Sequence, residues 1–456
     1  MRFSGRSVLL LGLGRFGGGV AAARYLLEEG AHVRIGDRCG PASLRASMQR
    51  LQEHSRVEWC LGREDRGLLR DVDLVVANPA VPADNPLLLA SQEDGVEVTQ
   101  EVNLFLETYP GMVVLVTGTN GKSTTATLLA SALRQDGLSV LLGGNIGNSL
   151  LEDRGHWRAE QVAVLEISSF QLERIRPDQH RVLGTVLTRV TEDHLDRHGS
   201  VAAYRAAKAR AAAAADGFLV HHAGDEAFAA VANERARRIT YTPRTPTRQQ
   251  LGVHNGWLWA QLDHDRGPIL HPDALLLEGG FQTENALAAA AAACLLGVPR
   301  HAVAMGLCQV RPLPHRLQQI QQLGGVRIYD NGVSTQVEST LAALNSIPGR
   351  VHWVGGGKSK GGDVHRFVPA LGTVVASAHL FGSIAAELGT ALRKRLPTTV
   401  HEHLEGALDA ALEGARAGEA ILFSPAFSSF DQFVNYEVRA RRFHAWVRGG
   451  LEAAES

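Results

Sequence analysis

The clearest chemical signal is a stretch in which an apolar run ends in a glycine loop that carries a lysine and hydroxyl side chains. The run Val113–Thr117 continues as Gly118-Thr119-Asn120-Gly121-Lys122-Ser123-Thr124. A buried strand that enters such a loop and then a helix can cradle phosphate, because N–H groups of the loop and helix start face the anion. Lys122 adds a positive charge there, and the Ser123 hydroxyl is a ligand for Mg²⁺. The strict phosphate-loop pattern has glycine where this chain has Val116, so the stretch is a shorter variant of that pattern. Its strand, glycine loop, lysine and helix start still predict nucleotide binding.

A second glycine turn, Gly12-x-Gly14-x-x-Gly17, follows the first apolar run of the chain, and Asp37 closes the next run. The arrangement nearly matches the dinucleotide fingerprint, in which glycines let the backbone approach a pyrophosphate and an acid binds a ribose hydroxyl. An NAD-dependent dehydrogenase is therefore one alternative, and a tight turn without a ligand is another. The phosphate loop elsewhere in the chain argues against the dehydrogenase, because hydride transfer does not need one.

Two polar clusters follow the phosphate loop. Glu166 ends an apolar run, and a carboxylate at a strand end beside a phosphate loop is placed to hold Mg²⁺. The stretch Thr191–Asp196 follows another apolar run and adds carboxylates and the imidazole of His194 as potential ligands. A solvated polar loop would explain this second cluster equally well, so the sequence leaves both interpretations open.

Two cationic features lie in the last third of the chain. His315-Arg316 follows a proline-rich stretch, where an arginine can reach a transferring phosphoryl group. The loop Gly355–Gly362 contains Lys358 and Lys360 and suits a second anion such as a carboxylate. Solvated arginines and glycine-rich linkers look similar, so neither feature alone assigns a site.

These residues need elements to position them, and short apolar runs alternate with helical patterns along the whole chain. The alternation predicts parallel sheets covered by helices, which is an α/β fold. Tyr109-Pro110-Gly111 and Arg311-Pro312-Leu313-Pro314 interrupt it and are candidate boundaries. We therefore predict a Rossmann-like domain at 1–108, a central phosphate-loop ATPase domain with a parallel sheet at 109–312, and a Rossmann-like α/β domain at 313–456.

Composition excludes several classes of function. The 456 residues include 46 Lys+Arg and 47 Asp+Glu, so there is no broad basic field for a nucleic acid. The four cysteines form no Cys-x-x-Cys pair, which argues against a structural metal or a disulfide framework. No apolar run approaches the ~18 residues of a membrane span. We expect a cytoplasmic protein in a reducing compartment, without a membrane or nucleic-acid partner.

Taken in order, the motifs resemble those of the Mur ligases, the ATP-dependent amide-forming enzymes of peptidoglycan precursor synthesis, and most of all the glutamate-adding MurD type. The resemblance covers nearly the whole chain. It is carried by Thr117-Gly-Thr-Asn-Gly-Lys-Ser-Thr124, Gly143-Gly-Asn145-Ile-Gly147, Leu165-Glu166-Ile-Ser168-Ser169-Phe-Gln171-Leu-Glu173, Thr191-Glu-Asp-His194-Leu-Asp196-Arg197, Tyr204-Arg-Ala-Ala-Lys208, Leu313-Pro-His315-Arg316 and Ser424-Pro-Ala-Phe-Ser-Ser429-Phe-Asp431-Gln432-Phe433.

The resemblance implies that ATP and Mg²⁺ are used to join glutamate to UDP-N-acetylmuramoyl-L-alanine through an acyl phosphate. The implied catalytic residues are Lys122, Lys208, His194 and Arg316. Those implied for ATP are Gly118, Thr119, Asn120, Gly121, Lys122, Ser123, Thr124, Asn285 and Arg316. Those implied for metal are Ser123, Glu166, His194 and Lys208, the last as a carbamate.

The same resemblance assigns the two remaining substrates. Residues implied for the UDP-sugar are Gly14, Arg15, Phe16, Asp37, Asn145, Ser168 and Gln171. Residues implied for the amino acid are Thr335, Lys358, Ser429 and Tyr436, with Lys360 as an alternative to Lys358. A monomer is expected. The glycine turn with Asp37 then becomes a uridine diphosphate pocket, which makes the dehydrogenase a minor alternative.

The chain departs from the family pattern at two places. The family's His-Asn pair is Phe281-Gln282 here, before the matching Asn285, which alters part of the adenine or ATP contact. Where the incoming amino acid binds, the segment Asn-Asp-Ser-Lys-Ala-Thr-Asn is here Asp330–Gln336. In that segment a carboxylate has become the amide of Asn331 and a lysine has become Val333. A buried charge without a partner costs ~3 kcal/mol, so the charged groups of the substrate should shift. We therefore favour L-glutamate, with a separate epimerase, and keep D-glutamate as the alternative.

Two explanations from other classes stay open at this point. One is a relative without activity that binds UDP-sugars for regulation, but such a protein would not need Lys122, Glu166, His194 and Lys208 together. The other is a ligase similar to folylpolyglutamate synthase, which shares the phosphate loop. The N-terminal domain and the Ser168–Gln171 segment favour the Mur type over that enzyme.

Overall fold

The structure is a computed structural model that describes residues 2–14, 17–146, 149–359, 363–371 and 375–455. In this part of the chain the strands form three separate sheets, one in each third of the sequence, as the α/β alternation predicts. By their internal contacts the residues fall into two compact units. The first is Met1–Pro272 with Glu284–Gln309, and the second is Asp273–Thr283 with Val310–Ser456.

The N-terminal sheet is parallel, in the order β3-β2-β1-β4-β5. Its strands are β1 (Ser7–Leu11), β2 (His32–Asp37), β3 (Val57–Leu61), β4 (Leu74–Ala77) and β5 (Glu97–Thr99). Its helices are α1 (Gly18–Glu28), α2 (Pro41–Gln49), α3 (Pro86–Glu93) and α4 (Glu101–Thr108), with a short 3₁₀ helix at Arg66–Leu69. The central strand β1 is buried on both faces, which explains its continuous apolar sequence.

The central sheet has the order β14-β13-β12-β11-β10-β9-β6-β8-β7. Its strands are β6 (Met112–Thr117), β7 (Val140–Gly144), β8 (Val162–Glu166), β9 (Val182–Leu187), β10 (Ala215–His222), β11 (Arg237–Tyr241), β12 (Gln250–His254), β13 (Trp257–Gln261) and β14 (Arg266–Leu270). Its helices are α5 (Lys122–Gln135), α6 (Ser169–Leu172), α7 (Leu195–His198), α8 (Val201–Ala214), α9 (Ala227–Val231), α10 (Gly280–Leu295) and α11 (Arg300–Cys308), with 3₁₀ turns at Leu150–His156 and Pro272–Ala274. Strands β6 to β12 pair in parallel, and β13 and β14 add an antiparallel edge.

The C-terminal sheet has the order β15-β16-β20-β17-β18-β19 and is parallel except for β15. Its strands are β15 (Gln318–Leu323), β16 (Val326–Asp330), β17 (Val351–Gly356), β18 (Val375–Phe381), β19 (Thr398–Val400) and β20 (Ala420–Ala426). Its helices are α12 (Val337–Leu344), α13 (Asp363–Ala370), α14 (Ala385–Leu392), α15 (Leu404–Gly414) and α16 (Tyr436–Glu455). Among the described residues no helix combines the length and apolarity that crossing a bilayer requires.

A chain of hydrogen bonds crosses one face of the C-terminal sheet and joins three histidines, which we call the histidine ladder (His352, His379 and His401). Ser377 Oγ lies 2.7 Å from His352 Nδ1 and 2.6 Å from His379 Nε2. Thr399 Oγ1 lies 2.9 Å from His379 Nδ1 and 2.7 Å from His401 Nε2. Burial, together with the two neighbouring imidazoles, lowers the pKa of His379 to about 4. The ladder is therefore held with His379 neutral.

This neutrality makes the protein sensitive to acid. In the unfolded chain the pKa of this histidine is about 6.5, whereas in the folded protein it is about 4. Between these two pH values the unfolded chain therefore binds a proton that the folded protein does not. Stability from this group is complete above pH 6.5 and is lost as the pH falls through 6.5 towards 4. We expect wild type to lose about 2 kcal/mol more than His379→Gln between pH 7.5 and pH 5, measured by urea unfolding. Equal losses in the two proteins would contradict the assignment.

Candidate active site

The residues that could do chemistry converge at the carboxyl edge of the central sheet. Strand β6 lies between β8 and β9, and its register pairs Val116 with Glu166 and Thr117 with Leu187. The loops that follow these three strands therefore leave the sheet side by side. In open parallel sheets this edge is where ligands bind.

The phosphate loop begins at the end of β6 and turns on two glycines with positive φ. A Cβ at Gly118 (φ 147°) would lie 1.8 Å from Thr188 Oγ1, and one at Gly121 (φ 81°) would lie 2.1 Å from Asn285 Oδ1. Thr188 Oγ1 donates to the Asn120 carbonyl at 2.6 Å. No larger residue fits either glycine position, so the backbone approaches closely enough to surround an anion.

Lys122 and the hydroxyls open helix α5 directly after this loop. Lys122 Nζ donates to the carbonyls of Gly118 at 3.1 Å and Thr119 at 2.7 Å, so the ammonium lies along the loop. Ser123 and Thr124 are buried in the first helical turn. The structure thus brings together the loop residues predicted for ATP, along with Asn285.

Thr119 connects the phosphate loop to the polar stretch after β9. Its Oγ1 accepts from the Thr191 amide at 2.9 Å, lies 3.0 Å from the Thr191 carbonyl, and lies 2.9 Å from the Tyr204 hydroxyl. Tyr204 is on α8, one helical turn before Lys208. These bonds hold the 191–194 stretch and α8 against the phosphate loop.

Glu166 offers a buried acceptor. The residue is 1% exposed, and its Oε1 accepts from Asn145 Nδ2 at 3.0 Å. Its Oε2 is buried and has no hydrogen-bond donor among the residues that the structure describes. A buried carboxylate oxygen without a donor is costly unless a cation or water satisfies it. This orphaned oxygen fits a divalent cation.

His194 occupies a left-handed backbone position (φ 51°) at the start of α7, and its ring packs on Phe170 with centroids 4.8 Å apart. Its Nε2 lies 3.1 Å from Asp193 Oδ2, whose side chain is 7% exposed. The Glu166 carboxylate and the Ser123 hydroxyl offer oxygen atoms of the kind that Mg²⁺ prefers, whereas the imidazole of His194 is a ligand more typical of transition metals.

Lys208 is buried inside the unit, and its Nζ donates to Thr117 Oγ1 and to the Gly118 carbonyl, each at 2.9 Å. Burial, followed by repulsion from Lys122, lowers its pKa well below the ordinary value. The neutral amine is therefore favoured far more than in an exposed lysine. An uncharged amine is a nucleophile, so this lysine is chemically available.

In the N-terminal sheet, Asp37 holds the glycine turn. Its Oδ2 accepts from the amides of Leu13 at 2.9 Å and Gly14 at 3.2 Å, and its Oδ1 accepts from the Cys39 amide at 2.8 Å. Both oxygens already have backbone donors, which differs from the acid of a dinucleotide site that accepts from ribose. Arg15 and Phe16, predicted for the UDP-sugar, lie outside the described residues, as does Gly147.

Ser168 and Gln171, also predicted for the UDP-sugar, form a capping box at the start of α6. Ser168 Oγ accepts from the Gln171 amide at 3.2 Å, and Gln171 Oε1 accepts from the Ser168 amide at 2.9 Å. After this helix, Arg174 and Arg197 both donate to the Val81 carbonyl, at 2.5 Å and 3.1 Å, and so hold the loop that follows β4.

The residues predicted for the amino acid lie in the second unit. The backbones of Lys358 and Ser428 form a β-bridge, which brings Lys358 next to Ser429. Lys358 is exposed, Ser429 is buried, and Tyr436 opens helix α16. Thr335 is half-buried two residues before α12, and Lys360 lies outside the described residues.

Sequence reasoning missed a fully buried arginine beside this bridge. Arg439 is 0% exposed, and its NH1 donates to the Phe427 carbonyl at 3.0 Å, while its Nε and NH2 have no acceptor in the described part of the chain. Burial lowers its pKa to about 10, although Asp431 acts against this. Helix α16 contains several arginines, and nothing in the sequence distinguishes the buried arginine from the others.

Arg316 stands on a turn in the same unit. His315 (φ 62°) and Leu317 (φ 46°) flank it in left-handed conformations. Asn331 Oδ1 accepts from the Leu317 amide at 3.2 Å, and the Val333 amide donates to the His315 carbonyl at 3.2 Å. Asp330 and Asn331 are both buried and bonded within the unit. The segment predicted to face glutamate thus uses these two side chains to hold the Arg316 turn.

Three family models match the chain. The Mur ligase MurD-like N-terminal domain matches residues 6–100, the Mur ligase middle domain matches residues 116–293, and the Mur ligase glutamate ligase domain matches residues 315–427. Together they cover each of the three sheets.

Related sequences and solved structures match this chain over nearly its whole length. A UDP-N-acetylmuramoylalanine--D-glutamate ligase of Acidobacterium capsulatum is 36% identical over 100% of this chain and 98% of its own, and one of Geobacter metallireducens is 35% identical over 98% of each. Among solved structures, the UDP-N-acetylmuramate-alanine ligase of Thermotoga maritima matches with a TM-score of 0.61 at 18% identity, over 97% of this chain and 99% of that one. A pseudomurein peptide ligase type C of Methanothermus fervidus matches with a TM-score of 0.59 at 21% identity, over the same shares.

Proposed function

Because the chain belongs to the Mur ligase family, we propose that it joins glutamate to UDP-N-acetylmuramoyl-L-alanine with consumption of ATP. The observation that carries the proposal is the single cluster formed by the phosphate loop, the orphaned Glu166 oxygen and the buried Lys208 amine. A protein that only bound a UDP-sugar would have no use for this combination. The relatives' names supply the substrates.

In the proposed reaction the alanine carboxylate attacks the γ-phosphorus of ATP, and the bond to ADP breaks. The amine of glutamate then attacks the acyl phosphate carbon, loses a proton, and expels phosphate as the amide forms. The loop from Gly118 to Thr124 would bind and orient the phosphates, with Lys122 balancing their charge. Arg316 would contact the transferring phosphoryl group.

Four residues would hold Mg²⁺: Ser123, Glu166, His194 and Lys208. The ion would supply charge stabilisation for the phosphates as negative charge moves during transfer. Lys208 would serve as a carbamate, formed when its neutral Nζ attacks CO₂ and releases a proton. The low pKa of this buried amine supports that modification, since only the uncharged form reacts.

We propose D-glutamate as the amino acid. The relatives named above are D-glutamate ligases, which favours this enantiomer over the L-glutamate that the changes at Asn331 and Val333 led us to expect. Asp330 and Asn331 form hydrogen bonds that hold the Arg316 turn. The amide at Asn331, where the family has a carboxylate, is therefore explained by this turn and does not require L-glutamate as the substrate.

The decisive experiment incubates the protein with UDP-N-acetylmuramoyl-L-alanine, ATP, Mg²⁺ and either enantiomer of glutamate. We expect ADP release and the amide product with D-glutamate, at a rate about 100-fold or more above L-glutamate, because polar contacts discriminate strongly. Product mass and ADP release are measured together. Turnover with L-glutamate alone would overturn the choice of enantiomer, and UDP-sugar binding without ADP release would overturn the ligase.

A further inference from the structure

The turn that carries Arg316 has a backbone conformation that it would not adopt on its own. His315 and Leu317, on either side of the arginine, both have positive φ, at 62° and 46°. Left-handed conformations are sparsely populated by residues with a Cβ and persist only where surrounding structure imposes them. Some element of the fold must therefore hold this turn.

Asp330, at the end of β16, provides that restraint with one buried carboxylate. Its Oδ2 lies 2.6 Å from His315 Nδ1 and 2.6 Å from His444 Nε2 of α16, and its Oδ1 accepts from the Gly332 amide at 2.8 Å. The side chain is 0% exposed. The two imidazole rings are nearly perpendicular, at 89°. Three chain segments thus meet at a single carboxylate.

We propose that Asp330 and His444 are positioning residues that fix Arg316, through His315, for contact with the transferring phosphoryl group. We call His315, Asp330 and His444 the carboxylate clamp. The inference rests on the proposed function, in which Arg316 meets that group. His444 orients the carboxylate, the carboxylate orients His315, and His315 sets the backbone on which Arg316 stands.

The charge state of the clamp agrees with this role. Burial acts to raise the pKa of Asp330, but hydrogen bonds from His315 and His444 lower it, and the net shift is downward. The carboxylate is therefore an anion that accepts from both rings. Without His444, one of its two imidazole donors is lost, and the remaining bond to His315 is less well oriented.

A metal site is the competing explanation for two histidines and an aspartate whose ligand atoms lie within 4.8 Å of one another. In a tetrahedral zinc site, ligand atoms about 2.1 Å from the metal are about 3.4 Å apart. Here both N–O distances are 2.6 Å, which is far shorter than that separation and corresponds to short hydrogen bonds. The distances therefore favour hydrogen bonds over a shared metal ion.

The test compares His444→Phe, which removes the donor, with His444→Gln, whose amide can still donate to Asp330. We expect His444→Phe to lower kcat about 10-fold while the KM values for glutamate and the UDP-sugar change less than twofold. His444→Gln should recover to within about threefold of wild type. Arg442→Leu is the matched control, because Arg442 lies on the same helix and bonds to Glu405 at the surface. It should leave kcat unchanged.

A double variant tests whether His444 acts through Arg316. In an Arg316→Ala protein, the further change His444→Phe should reduce the residual kcat less than twofold, because the group that it positions is gone. An additional 10-fold loss in that background would overturn the proposal, as would an unchanged kcat in the single His444→Phe variant. Either result would leave the ligase activity of wild type intact.

Hydrogen exchange tests the clamp independently of catalysis. The Leu317 and Val333 amides, both bonded across the turn, should exchange at least about fivefold faster in His444→Phe than in wild type. Amides of β17 and β18, which lie in the same C-terminal sheet, should keep their rates, which shows that the second unit of the variant is folded. Unchanged exchange at the turn would reject the clamp even in an active ligase. Faster exchange in a protein without ligase activity would reject the proposed function alone.

Discussion

Lys208→Ala is expected to lower kcat by about 1,000-fold. The side chain is buried and contacts the phosphate loop through Thr117 and Gly118, and in the proposed reaction its carbamate holds a divalent cation. Two opposite charges about 4 Å apart interact by about 4 kcal/mol at an effective dielectric constant of 20, which corresponds to about a 1,000-fold change in rate. ADP release in the presence of all substrates measures the loss.

Chemical rescue separates a lost carbamate from a damaged fold. Alanine at 208 leaves space where the lysine was, so formate or acetate can supply a carboxylate there, and we expect at least a 10-fold recovery of kcat. Lys394→Ala is the control, because Lys394 is an exposed lysine of the second unit. It should keep wild-type activity and show no response to either anion. Full activity in Lys208→Ala would remove this residue from the mechanism.

Lys122→Met is expected to lower kcat/KM for ATP by about 100- to 1,000-fold. The methionine keeps the length and the apolar part of the chain but removes the charge that lies along the phosphate loop. Loss of one preorganised group that stabilises developing charge typically has this effect. Initial rates at varied ATP concentration measure it.

Nucleotide binding provides the second measurement for Lys122. Calorimetry should show weaker ATP binding by Lys122→Met, while binding of the UDP-sugar changes less than twofold. Lys122→Arg, which retains the charge with a different shape, should lie between the methionine variant and wild type. A kcat/KM within fivefold of wild type in Lys122→Met would contradict the role assigned to this lysine.

The phosphate loop was predictable because its information is local. Seven consecutive residues, the preceding strand and the following helix all point to the same backbone path, and the structure contains β6, the loop and α5 in that order. The parallel sheets were predictable for a similar reason, since continuous apolar runs indicate strands buried on both faces. The edge strands β3, β5, β7, β15 and β19 are harder to recognise in the sequence, because partial exposure shortens or dilutes their apolar pattern.

The partners of polar side chains were not predictable, because they depend on residues distant in the chain. Asp37 fitted a ribose-binding acid by its position, but its Oδ2 accepts from the backbone of the glycine turn and its Oδ1 accepts from the Cys39 amide. Asp330 meets His444 across 114 residues, a separation over which no periodic pattern extends. Glu166 was placed correctly at a strand end, yet only the structure shows that one of its oxygens has a donor and the other has none.

The second unit is made of two separate chain segments, and this affects the order in which the protein can fold during synthesis. Its segment Asp273–Thr283 precedes Glu284–Gln309, which belongs to the first unit, and Phe281 packs against the core that β17, β18 and β20 build later. At roughly 5–20 residues per second, the rest of the chain emerges from the ribosome on the order of 10–30 s after Thr283. During that interval the nascent chain first adds Glu284–Gln309, which belong to the first unit, while the aromatic ring of Phe281 has no native core to enter until β17, β18 and β20 have been made.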